Sequence, residues 1–162
     1  MGETKSGSSG AKHRLQIDLT DQVLQEIDAL RELAGFSNRD ESIRHSLRQF
    51  QWTLDAVEND KAKIFIGKNG KTEEVVFMFW KVMNVPSSQG FIRYHLIFNF
   101  TAEVFQEVED LQKRTGFLTP EELIRHSVRW SRWTLDETRG GATFFVEENG
   151  ARREIDFPPW NN

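Results

Sequence analysis

The sequence predicts an α+β, mostly helical fold in which one structural unit occurs twice in a single chain. Three pairs of matching segments establish the repeat: 43–46 with 124–127 and 52–55 with 133–136 at an offset of 81 residues, and 69–70 with 149–150 at an offset of 80. The first unit therefore holds one extra residue between its long helix and its turn. Two long copies favour a built-in pseudo-dimer over a solenoid, which needs three or more short repeats.

The first unit opens with a strand over residues 13–19, where polar and apolar side chains alternate. Thr20 is the expected N-cap of a helix over residues 21–33, and Gly35 is expected to end it in the left-handed region. Asn38 and Glu41 form a capping-box signature for a second helix that extends to about Asn59. Two short apolar segments, 63–66 and 74–77, flank Asn69-Gly70 and predict a β-hairpin.

The second unit follows the same order, with a strand over residues 95–100 and Thr101 as the next N-cap. Thr119 and Pro120 predict the start of a long helix that ends near Arg139, followed by a second hairpin. The inward side chains of the two strands are expected to be Leu15, Ile17 and Leu19, and Leu96, Phe98 and Phe100. The predicted divisions are a disordered tail over 1–12, repeat 1 with its hairpin over 13–80, a linker over 81–92, and repeat 2 with its hairpin over 93–162.

Composition limits the function classes. At 162 residues, 38% of them apolar, the chain has the size of one ordinary domain with a real core. It contains no cysteine, which excludes disulfides and thiolate metal sites. It shows neither an apolar run of membrane-spanning length nor a signal-peptide pattern, so we expect a cytoplasmic protein that does not bind membranes.

Charge argues against a protein that is basic all over its surface. The net charge is −4, and residues 13–80 and 93–160 each carry 9 Lys and Arg against 12 Asp and Glu. This is the wrong sign for a strong electrostatic DNA binder, so a basic footprint must be local.

The order of strand, helix, glycine turn and second helix resembles the ribbon-helix-helix family. The resemblance covers roughly residues 13–58 and 94–139 and rests on the alternating strand 14–20, the turn Gly35-Phe36 and the helix start 38–44. The appended hairpins resemble an extension of many small bacterial members. In that family two units pair their strands in an antiparallel ribbon over interlocked helices. The resemblance implies that here both strands pair within one chain, as a tandem pseudo-dimer.

The resemblance also implies where DNA would bind. In the family, outward ribbon side chains enter the major groove of duplex DNA, which admits a two-stranded ribbon. The corresponding base-reading residues are Arg14, Gln16, Asp18, His95, Ile97 and Asn99. The family holds phosphate at the start of the second helix, and the corresponding phosphate-contacting residues are Lys12, Asn38, Arg39 and Thr119. Asp18 of the first unit repels phosphate, and Ile97 of the second offers only apolar contact. At the helix start of the second unit, Pro120 removes one N–H donor and Glu121 and Glu122 add repulsion, so this unit departs from a good DNA reader.

Other sites are not supported by the sequence. There is no cysteine nucleophile, serine-centred glycine elbow or glycine-rich phosphate loop, so we expect no enzyme and no cofactor. His45 and His126 repeat without carboxylate companions at ligand spacing, so we expect no metal. The repeated Trp52, Trp133, Trp80 and Trp160 indicate packing of each hairpin on its long helix. Trp130 replaces Gln49 and is not repeated, which favours a place on a partner surface.

Two hypotheses remain. The first is a sequence-specific transcription regulator that binds double-stranded DNA through an asymmetric ribbon; Arg14, Gln16, Asn99 and Arg39 favour it. The second is a protein-interaction adaptor on the same scaffold, with the ribbon or the hairpins binding a partner. The acidic balance, Asp18, Ile97 and Pro120 favour this alternative. In either case the chain is expected to be a monomeric pseudo-dimer or a higher homo-oligomer.

Overall fold

The computed structural model describes residues 12–75 and 93–156. The expected tail up to residue 11, the linker over 81–92, and Trp80 and Trp160 lie outside these ranges. Within them the chain is an α+β protein with four helices and two antiparallel sheets. None of the helices in these ranges is both long enough and apolar enough to cross a membrane.

The elements follow the predicted order, and the first strand begins at Lys12, inside the segment expected to be tail. Repeat 1 contains β1 (Lys12–Thr20), α1 (Asp21–Ala34), α2 (Arg39–Leu54), a π-helical turn (Asp55–Asn59), β2 (Lys63–Lys68) and β3 (Lys71–Val75). Repeat 2 contains β4 (Arg93–Thr101), α3 (Ala102–Thr115), α4 (Pro120–Arg139), β5 (Thr143–Glu148) and β6 (Ala151–Ile155).

The predicted helix boundaries are confirmed by their caps. The hydroxyls of Thr20 and Thr101 accept hydrogen bonds from the N–H groups of Val23 and Val104, at 3.4 and 3.3 Å. Each of these helices ends at a glycine with positive φ, Gly35 in repeat 1 and Gly116 in repeat 2. A side chain is strained in that conformation and glycine is not, which explains the glycine at this position in both copies.

β1 and β4 pair antiparallel in a two-stranded ribbon within the one chain, as expected from the repeat. Gln16 lies directly opposite Ile97, its own counterpart at the offset of 81 residues. A pseudo-twofold axis that relates the two repeats therefore passes through this pair.

The two predicted hairpins pair with each other, an association that the sequence did not predict. β2 and β5 pair antiparallel, so the hairpins join in one four-stranded sheet of order β3-β2-β5-β6. Phe65 lies opposite Phe145, its counterpart at the offset of 80 residues, so this pair also sits on the pseudo-twofold axis. Each hairpin was predicted from its own Asn-Gly turn. The pairing of one hairpin with the other joins segments that are far apart in the chain, and no short sequence motif marks it.

The extra residue of repeat 1 is absorbed by the π-helical turn. The N–H of Asp60 donates to the carbonyl of Asp55 at 3.1 Å, five residues back. In repeat 2 the N–H of Gly140 donates to Asp136, the counterpart of Asp55, four residues back at 3.0 Å. The π turn thus takes up one residue, and both hairpins leave their helices in equivalent positions.

The apolar residues form two clusters. The larger one lies between the ribbon and the four helices, with the inward residues Ile17, Leu19, Phe98 and Phe100 all at most 2% exposed. Leu15 is half-buried, and the side chain of Leu96 is not among those that the structure describes. The smaller cluster joins the four-stranded sheet to the end of α2 and contains Ala56, Ala62, Ile64, Phe144, Val146 and Ile155.

The expected packing of tryptophans between hairpins and long helices is confirmed for the two that the structure describes. Trp52 packs against the smaller cluster, and the ring of Trp133 meets Phe144 edge-on with centroids 5.5 Å apart. The expectation for Trp130 was wrong. It is 1% exposed and lies in the larger cluster, because it faces α2 rather than solvent.

Candidate nucleic-acid interface

The ribbon register brings all six expected base-reading positions together as three cross-strand pairs. Arg14 lies opposite Asn99, Gln16 opposite Ile97, and Asp18 opposite His95. Successive side chains of a strand point to opposite faces, and paired residues share a face. The six positions therefore form one outward face, on the side of the ribbon away from Ile17 and Phe98.

Exposure is consistent with this placement. Arg14 and Gln16 are exposed, Asp18 is half-buried, and Ile97 is 52% exposed at the centre of the face. The side chains of Lys12, His95 and Asn99 are not among those described, although their backbone belongs to the ribbon. The face thus presents a guanidinium, an amide, a carboxylate and an apolar side chain at defined register positions.

The start of α2 uses its polar groups internally. The side-chain oxygen of Asn38 accepts from the N–H of Glu41 at 3.0 Å, and the Glu41 carboxylate accepts from the N–H of Ser37 at 2.7 Å. Arg39 forms a two-bonded ion pair with Asp28 of α1, at 2.8 and 3.0 Å. The hydrogen bond to Arg39 lowers the pKa of Asp28, so this carboxylate stays charged and holds the guanidinium.

The start of α4 is less suited to an anion. Thr119 accepts from the N–H of Glu122 at 3.3 Å, Pro120 has no N–H, and Glu121 and Glu122 place two carboxylates in the first turn. The residue before the cap is Leu118, which is 84% exposed. Leu118 was not singled out from the sequence, although its alignment with the polar Ser37 was a signal that could have found it.

The repeated histidines are structural. His45 stacks on Phe36 and His126 stacks on Phe117, each with ring centroids 4.6 Å apart. Burial lowers the pKa of His126 to about 4, with a further contribution from Arg125 and Arg129, so its imidazole is neutral at pH 7. Across the described ranges, no three His, Cys, Asp or Glu side chains are grouped so as to hold a metal ion.

The arginines next to these histidines were not singled out from the sequence either. Arg125 is 5% exposed and burial lowers the pKa of its guanidinium, while Arg129 pairs with Glu26 of α1 at 3.0 Å. The Nε groups of Arg44 and Arg125, which are counterparts, are buried without a hydrogen-bond partner. Because Arg125 is buried and Arg129 is paired with Glu26, these two arginines add little positive charge to an outer surface.

No family model, curated protein or solved structure matches this chain. The internal repeat and the geometry of the ribbon are therefore the grounds on which a function can be assigned.

Proposed function

We propose that the chain is a tandem ribbon-helix-helix protein that binds duplex DNA by inserting the outward face of the β1–β4 ribbon into the major groove. The observation that carries this proposal is the cross-strand register, which puts Arg14, Gln16 and four further positions on one face of the ribbon, with Arg14, Gln16 and Ile97 exposed. The major groove admits a two-stranded ribbon, and it displays donor and acceptor patterns that Arg and Gln side chains can read.

The two ends of the ribbon differ chemically, which predicts an asymmetric site. Because the strands are antiparallel, each end carries one residue from each repeat: Arg14 with Asn99 at one end, and Asp18 with His95 at the other. Arginine suits guanine and asparagine suits adenine, whereas the carboxylate of Asp18 accepts only from cytosine. We therefore place the stronger base preference at the Arg14 end.

Phosphate contacts in this proposal are few. Arg39 is held by Asp28, and both long helices begin with acidic residues. A bound phosphate would have to compete with these carboxylates. We therefore expect a shallow salt dependence, with few phosphates neutralised per complex.

A second candidate is a protein-interaction adaptor, and two exposed apolar residues of repeat 2 favour it. Ile97 and Leu118 stand where repeat 1 has Gln16 and Ser37, and they are 52% and 84% exposed. An apolar side chain at the centre of the ribbon suits a protein surface better than a base edge. In this version the ribbon face binds a partner protein and duplex DNA binds weakly or not at all.

Selection from a random duplex library, followed by titration of the recovered duplex with the native chain and with two variants, separates the two candidates. The DNA-binding proposal expects a recovered consensus and a loss of about 1–3 kcal/mol on Arg14→Ala, confined to one base position. Arg132→Ala is the matched control, because it removes the same charge from a side chain of α4 that pairs with Asp136 in the same helix, away from the ribbon face. Equal losses in both variants, or no consensus, would favour the adaptor.

A further inference from the structure

The two long helices pack against each other along a buried seam that contains polar side chains. Gln49 and Thr53 of α2 and Trp130 and Thr134 of α4 are each at most 3% exposed. Gln49 aligns with Trp130, and Thr53 with Thr134, at the offset of 81 residues. The seam is therefore built from counterpart positions on the two repeats.

Unlike side chains make the same hydrogen bond across this seam. The amide nitrogen of Gln49 donates to the hydroxyl of Thr134 at 2.7 Å. The indole nitrogen of Trp130 donates to the hydroxyl of Thr53 at 2.9 Å. Each bond is the pseudo-symmetric image of the other, and both buried donors are satisfied, which a buried polar group requires.

The bulky rings of the seam alternate between neighbouring positions. Repeat 1 has Gln49 followed by Phe50, whereas repeat 2 has Trp130 followed by Ser131. Phe50 is 0% exposed and Ser131 is 8% exposed, and the Ser131 hydroxyl lies 3.3 Å from the side-chain oxygen of Gln49. Each repeat thus contributes one large ring, at a position where the other repeat has a smaller polar side chain.

We infer that this seam is a heterotypic association surface: it fits repeat 1 to repeat 2 and disfavours pairing of like repeats. In a pairing of two repeat 1 patterns, Phe would stand in place of Ser131, beside Gln49, and Gln in place of Trp130. In a pairing of two repeat 2 patterns, Ser would stand in place of Phe50, which is 0% exposed, and Trp in place of Gln49. Tightly packed interiors tolerate neither overpacking nor cavities without loss of stability. The partner that this surface accepts is therefore the other repeat, and the inference does not depend on DNA binding.

Exchange of the seam residues in the full chain tests the inference. One variant gives both repeats the first pattern (Trp130→Gln with Ser131→Phe), and a second gives both the other pattern (Gln49→Trp with Phe50→Ser). A third carries all four changes, which exchanges the patterns between repeats and keeps the composition of the native chain. Chemical denaturation gives the unfolding equilibrium constant of each.

Both like-patterned variants are expected to lose at least about tenfold in folding equilibrium constant. The exchanged variant should recover most of that loss, because Thr53 and Thr134 offer an acceptor on either side. If both like-patterned variants fail to fold, the exchanged variant still decides the matter: a folded exchanged chain supports the inference. The inference is overturned if the exchanged variant loses as much in folding equilibrium constant as the two like-patterned variants lose when their factors are multiplied. It is also overturned if a like-patterned variant keeps the native folding equilibrium constant.

Discussion

The carbonyl of Asp55 accepts from the N–H of Asp60, and this single five-residue step keeps the two repeats in register beyond their long helices. Without it, the extra residue of repeat 1 would shift β2 against β5. A shift of one residue in a strand turns every side chain to the other face. Ile64 of β2, which is 1% exposed, would then leave the smaller core.

Deletion of Asn59 should therefore be tolerated. It would convert the π turn to the ordinary helical ending of repeat 2 while Ala62 stays aligned with Ala142. We expect a cooperative unfolding transition within about 1 kcal/mol of the native chain. Deletion of Ile66 within β2 is the matched control, and it should abolish cooperative unfolding because it shifts the strand register. Loss of folding in the Asn59 deletion would refute this role of the π turn.

Lys61 and Gly141 occupy equivalent positions, and both have positive φ, 55° and 98°. Glycine adopts this conformation without strain, whereas a side chain costs about 1–2 kcal/mol. We expect Lys61→Gly to raise the free energy of unfolding by up to about 1 kcal/mol, since the greater freedom of glycine in the unfolded chain offsets part of the gain.

The reverse change serves as its control. Gly141→Ala should lower the free energy of unfolding by about 1–2 kcal/mol, although open space surrounds the added carbon. Thermal or urea denaturation of both variants measures the two effects. A stabilised Gly141→Ala variant would show that backbone conformation is not what limits this position.

Neighbouring residues of β4 should differ sharply in their contribution to stability. Phe98 is 2% exposed in the larger core, so Phe98→Ala should cost about 3–5 kcal/mol. Ile97 is 52% exposed on the opposite face, so Ile97→Ala should change stability by no more than about 0.5 kcal/mol. Urea denaturation of both variants tests which face of β4 packs, and similar losses would contradict the assigned faces.

His126 should make stability depend on pH. The pKa of His126 is lowered to about 4 in the folded protein, against about 6.5 for an unperturbed histidine. Between these pH values the unfolded chain binds more protons than the folded protein. The contribution of His126 to the free energy of unfolding is therefore fully present above about pH 6.5, and about 2–3 kcal/mol is lost as the pH falls towards 4. His126→Gln should remove most of this slope, measured by denaturation across that range.

His45 provides the comparison, because it stacks on Phe36 in the same way but is only half-buried. Burial also lowers the pKa of His45, so His45→Gln should reduce the slope less than His126→Gln does. Equal slopes in the native chain and in His126→Gln would contradict a neutral, buried imidazole at this position.

The sequence predicted the elements of this fold because their signals are local. Thr20, Gly35 and Asn38 act within a few residues of their own positions, and each does what its type favours. The union of the hairpins and the burial of Trp130 were not predicted. Both result from contacts between the repeats, and a tryptophan without a counterpart has the same appearance in a sequence whether it faces a partner or a core.

The sequence predicted the ribbon face of the candidate site but not the contacts at the start of α2. Alternation along β1 and β4 identified the outward residues, and their register follows from the repeat. The ion pair between Arg39 and Asp28 was not predicted, since it joins α1 to α2 across eleven residues without a motif. That contact weakens the expected phosphate site at Arg39 by engaging its guanidinium.

The central claim is that the outward ribbon face contacts the bases of duplex DNA. The most direct test is an NMR titration of the ¹⁵N-labelled chain with a selected duplex, monitored through backbone amide shifts. The proposal predicts that the largest changes in amide chemical shift fall on residues 14–18 and 95–99, while the amide shifts of β2 and β5 do not change. Unchanged ribbon amides, or changes concentrated on the four-stranded sheet, would contradict it.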